Sequence, residues 1–305
     1  MNLIRKKIKF DKKLIDQDAL KIVKKMTNSG YETYLVGGCI RDILLGYKPK
    51  DFDIATSATP EQINKLFKRS RIIGRRFKLV HIMFSARKFI EVATFRAGNL
   101  KTSSDGLVLR DNYYGTLKDD VFRRDFTVNG LYYDINKSEV IDYVGGLKDL
   151  EILKINMIGD PSERFEEDPV RMIRAVRFQA KLNAKIEPKL IEAIQKNCQL
   201  LAKIPPARLY EEVIKLFHNE NSIVVFRELF KLGLLKHLFS QTEENSFVTA
   251  SLINTSERIK SGNSVTPAFL FAVFLWSAFN KRLRQVSKKN KSRVELMLTA
   301  SEDVI

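Results

Sequence analysis

Asp51 and Asp53 stand one residue apart, shortly downstream of the glycine pair Gly37-Gly38. On an extended segment, alternation puts both carboxylates on one face. The glycine pair lets backbone N–H groups approach a phosphate where a helix begins. Two hard oxygen donors beside a phosphate cradle suit Mg²⁺ carrying a nucleoside triphosphate. Either feature alone is common: Gly-Gly usually marks a turn, and Asp-x-Asp a solvated loop or capping pair. Together, on a strand–turn–helix–strand pattern, they carry chemical meaning.

Further groups with usable chemistry lie downstream. Glu91 sits among apolar residues in Phe89–Thr94, a strand-like run. A carboxylate there is costly to bury unless paired or metal-bound, so Glu91 reads as a third acid or as a surface-facing strand residue. Arg123-Arg124-Asp125, with Asn129 close behind, combines guanidinium forks suited to phosphate with ribose-binding acceptors. A charged turn with a helix cap is the plainer reading. Asp168 precedes Pro169 as a good N-cap, and Arg171, Arg174 and Arg177 follow at three-residue spacing, near one helix face. That face could hold phosphates, read a base edge, or be laced by salt bridges. Arg75, Arg76 and Lys78 form a basic turn that could meet triphosphate or RNA backbone.

The elements that must position these groups follow from periodicity and punctuation. Helical spacing runs from Leu14 to Ser29 and stops at Gly30. Thr33–Val36 reads as a strand, Ile40–Leu45 as a short helix closed by Gly46, and Asp51–Ala55 as a strand. Pro60–Phe67 reads as a helix capped by Thr59, followed by strands at Leu79–Phe84, Lys88–Thr94 and Leu131–Asp134. From Pro161 onward strand patterns vanish, and helices are expected at 168–182, 188–200, 206–217 and 222–231. The expected fold class is α+β: an α/β head with a mixed sheet over 1–158, a helical neck over 159–220, and a partial helical body over 221–305 with a basic tail at 281–294.

Bulk properties narrow the partners. Lys and Arg number 53 against 36 Asp and Glu, a formal charge of +17. That surplus predicts a polyanionic partner, nucleic acid before anionic membrane. Basic residues at the N-terminus have no apolar run behind them, unlike a secretory signal. Cys39 and Cys198 lack framework spacing, which fits a reducing cytoplasm. His81, His218 and His237 make no zinc pattern. The apolar stretch Ala268–Trp276 is too short to span a bilayer and reads as a buried helix.

These residues, in this order, resemble the class II nucleotidyltransferases, which comprise bacterial poly(A) polymerases and CCA-adding tRNA nucleotidyltransferases. The resemblance runs from Tyr34 to about Phe217, with a weaker echo from Val265. It rests on Leu35–Asp42 with Asp51-x-Asp53, Arg123–Asn129, Asp142–Asp149 and Glu167-Asp168-x-x-Arg171. Gly74–His81, Arg110–Asn112 and Ile204–Leu209 look like the poly(A) polymerase branch. The resemblance implies transfer of AMP from ATP to an RNA 3′ end, with pyrophosphate released. Asp51 and Asp53 would hold two Mg²⁺ ions, with Glu91 as a further catalytic acid. Gly37, Gly38 and Arg41 would seat the triphosphate. Arg124, Asp125 and Asn129 would touch phosphate or ribose. Asp168 and Arg171 would read the adenine edge, steadied by Arg174 or Arg177, and Arg75, Arg76, Lys78 and Arg208 would meet RNA. A cytoplasmic monomer acting on single-stranded or tRNA-like RNA is expected.

One departure is length: bacterial poly(A) polymerases usually continue further, which bears on the grip on the primer. Two rivals stand beside the poly(A) reading. A CCA-adding enzyme would use the same metal site with CTP and then ATP. A truncated, non-catalytic RNA-binding protein would bind RNA and incorporate nothing. A small-molecule nucleotidyltransferase fits the charge and the helical half less well.

Overall fold

A computed structural model describes residues 3–74, 78–85, 88–97, 101–102, 108–110, 114–242 and 244–287. The chain divides into two compact units, Met1–Gly159 and Asp160–Ile305.

The first unit is built on one mixed sheet. Its elements in order are β1 (Ile4–Lys7), α1 (Gln17–Asn28), β2 (Thr33–Val36), α2 (Gly38–Leu44), β3 (Asp53–Thr56) and α3 (Pro60–Leu66). Next come β4 (Ser70–Ile73), β5 (Leu79–Ser85), β6 (Lys88–Thr94), β7 (Lys101–Thr102), β8 (Val108–Arg110), α4 (Leu117–Phe122), β9 (Tyr132–Asp134), β10 (Glu139–Asp142) and α5 (Gly146–Glu151). Eight strands pair in the order β1-β10-β9-β2-β3-β6-β5-β4, while β7 and β8 form a separate ribbon. β3 and β6 run parallel; the other neighbours with printed registers are antiparallel.

Local chemistry explains the helix starts. Asp16 accepts the N–H groups of Asp18 and Ala19, and α1 then buries Ala19, Leu20, Ile22, Val23 and Met26, one face of a 3.6-residue period. Thr59 and Gln62 form a reciprocal capping box at α3, as Thr59 predicted. Under the sheet, Val36, Phe95, Leu117, Val121, Tyr132 and Ile141 share one buried cluster. It clamps α4 to the strands, each fully buried large side chain contributing roughly 1.5–3 kcal/mol.

The second unit comprises α6 (Pro161–Glu167), α7 (Val170–Leu182), α8 (Pro188–Asn197), α9 (Pro206–Phe217), α10 (Ser222–Lys231), α11 (Leu235–Leu238), α12 (Ser246–Lys260) and α13 (Pro267–Ser287). α7 packs against α9 and α10, α6 against α8, and α10 against α12. Several expected boundaries move. The strand bearing Asp53 begins at that residue, leaving Asp51 in the preceding loop. α8 stops at Asn197 and continues as a 3₁₀ turn to Lys203. Lys185–Ile186 is extended, inside the half expected to be all helix. The apolar run in α13 is not buried throughout: Leu270, Val273 and Phe274 are buried, whereas Phe269 and Trp276 are exposed. Among the described residues, no helix is long and apolar enough to cross a membrane. Cys39 and Cys198 are free and buried.

Candidate active site

One row of residues across the sheet organises the site. Tyr132 on β9 registers with Val36 on β2, Val36 with Asp53 on β3, Asp53 with Glu91 on β6, and Glu91 with His81 on β5. Side chains in one such row share a face. The register therefore sets Glu91 beside Asp53, at the sheet's parallel pair. His81 Nε2 lies 3.1 Å from Glu91 Oε1, and the His81 ring stacks on Phe89 at 4.2 Å.

Asp53 is crowded by negative charge. Its side chain is open to solvent on one side. Even so, desolvation by the surrounding protein pushes its carboxyl up to about 6, with Glu91 and Asp51 adding to the rise and Arg124 opposing it. Carboxylates so placed fit a hard divalent cation. Among the described residues, no group of three or more His, Cys, Asp and Glu side chains forms a metal-holding cluster.

The glycine pair lies beside the second group. Gly37 has φ +74, and a β-carbon there would meet Arg124 Nη1 at 3.4 Å. The positive φ favours glycine, and the distance sets Arg124 in van der Waals reach of this turn. Arg124 is fixed from two sides: Nε donates to the Tyr132 hydroxyl at 2.7 Å and Nη2 to Asp120 Oδ2 at 3.2 Å. Tyr132 also donates its hydroxyl to Asp120 through a short bond, and Arg123 Nε donates to Asp120 Oδ1 at 2.7 Å. Asp120 is only 1% exposed. Burial alone would raise its carboxyl, but Arg124, Arg123 and Tyr132 together hold it at about 2. Burial likewise disfavours charge on Arg124, yet Tyr132 and Asp120 outweigh it and keep the guanidinium protonated.

Asp142–Asp149, which resembled a family motif, buttresses this region. Asp142 accepts the N–H groups of Val144, Gly145, Gly146 and Leu147. Asp149 accepts from the Thr127 hydroxyl at 2.6 Å. A β-carbon on Gly146 would lie 2.2 Å from the Thr127 carbonyl oxygen, so only glycine lets α5 sit this close to the 126–129 turn.

Not every expected site residue lies where the sequence suggested. Arg41 is 2% exposed, donates to Asp42 Oδ1 at 2.9 and 2.6 Å, and donates to Asn129 Oδ1 at 2.6 Å. It braces the turn rather than lying open as a phosphate seat. Asn129 in turn donates to Asp125 Oδ1 at 3.2 Å. Lys78 pairs with Glu61 at 2.8 Å. Arg75 and Arg76 lie outside the described residues, as do residues 111–112 and 288–294 of the motifs named above.

In the second unit, Arg171, Arg174 and Arg177 are all half-buried, on the side of α7 away from buried Met172, Ile173 and Val176. Arg171 donates to Glu167 and to the Arg164 carbonyl, both at 2.7 Å. Arg177 lies 3.7 Å from buried Glu212, and Arg174 lies over the Phe178 ring. Asp168 pairs with Arg208 at 2.7 Å.

Asp120, Tyr132 and Glu212 were not singled out from sequence. The spacing of Asp120 to Arg123 and Arg124, three and four residues, was the available signal on a helix end.

Residues 33–156 match the model described as "Poly A polymerase head domain". Residues 183–245 match "Probable RNA and SrmB- binding site of polymerase A". The chain is 44% identical to poly(A) polymerase I of Salmonella typhi over 300 residues, 92% of this chain and 64% of that protein. The chain belongs to the superfamily that poly(A) polymerases share with CCA-adding enzymes. Within that superfamily, the CCA-adding enzyme of Bacillus pumilus is 39% identical over 72% of this chain and 54% of its own length. A solved CCA-adding enzyme of Bacillus stearothermophilus in complex with CTP aligns with TM-score 0.64 and 32% identity, over 79% of this chain and 57% of that one. The chain thus spans about 64% of the length of its Salmonella poly(A) polymerase relative.

Proposed function

We propose that this chain is a template-independent polynucleotide adenylyltransferase that adds AMP from ATP to RNA 3′ ends and releases pyrophosphate. The observation that carries the poly(A) reading over CCA addition is reach: similarity to poly(A) polymerase I extends over 92% of the chain, against 72% for a CCA-adding enzyme. The registered acids Asp53 and Glu91 beside a glycine pair support nucleotidyl transfer itself.

In this reading Asp51 and Asp53 hold two Mg²⁺ ions. When bound, they lower the pKa of the RNA 3′-hydroxyl and neutralise the triphosphate and leaving pyrophosphate. Glu91 adds negative charge beside Asp53 and is steadied by His81. Gly37 and Gly38 let the phosphates come close to the backbone, and Arg124 supplies the fixed cation there. Arg41 and Asn129 keep the turn in shape, and Asp125 accepts from a ribose hydroxyl. Asp168 accepts from the exocyclic amine of adenine while Arg171 donates to its ring nitrogen. Arg174 and Arg177 steady that helix face. Arg75, Arg76, Lys78 and Arg208 meet RNA, in a cytoplasmic, monomeric protein whose first unit is the catalytic head and whose helices form neck and partial body.

The test is to mix the protein with Mg²⁺, a short labelled RNA lacking any tRNA fold, and ATP or CTP alone. A long ladder with ATP only, abolished by Asp53→Ala, is the expected result. A few additions confined to tRNA lacking its CCA end would mean CCA addition. RNA binding with no extension on either substrate would mean a binding protein.

A further inference from the structure

We propose that Asp120 and Tyr132 are positioning residues that fix Arg124 as one cation shared by the triphosphate seat and the Asp53 carboxylate. The inference rests on the nucleotidyltransferase reading above. It concerns residues that contact neither carboxylate ligand and touch no substrate.

Three observations converge. First, Arg124 is aimed: its Nε meets the Tyr132 hydroxyl at 2.7 Å and its Nη2 meets Asp120 at 3.2 Å. Its Nη1 is the edge against Gly37, where a β-carbon would lie 3.4 Å away. A side chain with four rotatable bonds is thereby turned into a fixed fork.

Second, both anchors are themselves immobile. Tyr132 is fully buried, in the same cluster as Val36 below Asp53's strand neighbour and Leu117 and Val121 of α4. Asp120 lies between those two α4 residues and also accepts Arg123 Nε and the Arg96 N–H. Its two oxygens are thus held by one tyrosine, two guanidinium groups and one backbone N–H. A buried carboxylate so fully bonded is a rigid post.

Third, Tyr132, the anchor bonded to Asp120, stands in the row that carries the acids. Tyr132 registers with Val36, which registers with Asp53. The same sheet register therefore sets the distance from the Arg124 fork to the metal-binding carboxylate and to Gly37, the residue after Val36. Preorganised charge at the reacting phosphates costs no reorganisation when the bond is made. A cation placed about 1 Å wrong can cost on the order of 100-fold in rate.

The test is a double-mutant cycle on the 305-residue chain. Tyr132→Phe and Asp120→Asn are made singly and each in the Arg124→Ala background. Binding of Mg·ATP and of adenosine is measured alongside AMP transfer to RNA. Tyr132→Phe keeps the buried ring, so it reports even where Asp120→Asn folds poorly.

The expected result is an about 10- to 100-fold loss in kcat/KM for ATP from each single substitution in the wild-type background, and under about three-fold where Arg124 is already absent. ATP affinity falls while adenosine affinity is unchanged, a split that loss of structure alone would not give. Equal costs with and without Arg124, or parallel loss of ATP and adenosine binding, would overturn the positioning role. If Arg124→Ala itself changes neither ATP binding nor transfer, the fault lies instead in assigning Arg124 to the phosphates.

Discussion

Arg208 Nη2 donates to Asp168 Oδ2 across 2.7 Å, so the acid that precedes α7 is held by the first turn of α9. The Arg208 side chain is 52% exposed and Asp168 23%. Exposed pairs of this kind are worth about 0–1 kcal/mol, because water and side-chain entropy offset the attraction. If Asp168 accepts from the adenine amine, Arg208 is a rival donor for the same oxygen, weak enough for a base to displace. Arg208→Ala should then lower KM for ATP by about two- to five-fold while shifting stability by less than about 1 kcal/mol. Steady-state kinetics and urea unfolding check both. A raised KM would mean that Arg208 orients Asp168 rather than competing for it.

Asp53 presents a trade between activity and stability. Burial and the charges of Glu91 and Asp51 push its carboxyl up to about 6, above the unfolded value near 3.8. The ionised form is therefore disfavoured in the folded chain. Asp53→Asn should abolish AMP transfer yet raise the melting temperature in metal-free buffer at neutral pH. The gain should be full above pH 6, fade as pH falls from 6 toward 4, and vanish below the unfolded value near 3.8, where the wild-type carboxyl is protonated in both states. Added Mg²⁺ should raise the melting temperature of the wild type more than that of the variant. Equal responses to Mg²⁺ would remove Asp53 from the metal site.

Gly146 tests the buttress under the Arg124 turn. A β-carbon there would stand 2.2 Å from the Thr127 carbonyl oxygen, a backbone atom that cannot swing aside. Gly146→Ala should cost about 1–3 kcal/mol, the range for forced overpacking. It should also reduce AMP transfer, because the turn carries Asn129 and follows Arg124. Denaturant midpoints and primer extension measure the two effects; loss of neither would show that α5 can retreat freely.

Much of this was legible in the sequence, and the reasons are local. Thr33–Val36 and Lys88–Thr94 form strands over the expected residues, and Thr59 caps α3, because alternation and capping act within a few residues. Asp53 and Glu91 were named from their types, with Glu91 read either as a third acid beside Asp51 and Asp53 or as a surface-facing strand residue. The register that pairs Asp53 with Glu91 was not legible, since it is set by strands brought together from distant parts of the chain. Arg41 illustrates the opposite case. The family resemblance implied that it helps seat the triphosphate, yet its side chain is turned onto the neighbouring Asp42 and onto Asn129. Asp120 was missed because, next to Asp119 on a short helix, it looks like a surface acid until Tyr132 arrives from β9.

That buried acid gives the pH prediction with the clearest sign. Arg124, Arg123 and Tyr132 outweigh the cost of burial and hold Asp120 at about 2, below the unfolded value near 3.8. A depressed carboxyl adds stability that is full above pH 4 and is lost as pH falls through 2. The difference amounts to roughly 2 kcal/mol. The stability gap between wild type and Asp120→Asn, measured by urea unfolding, should therefore be constant from pH 7 down to about pH 4 and narrow steadily below it. A gap that stays constant down to pH 2 would mean that Asp120 is not ionised against its arginines.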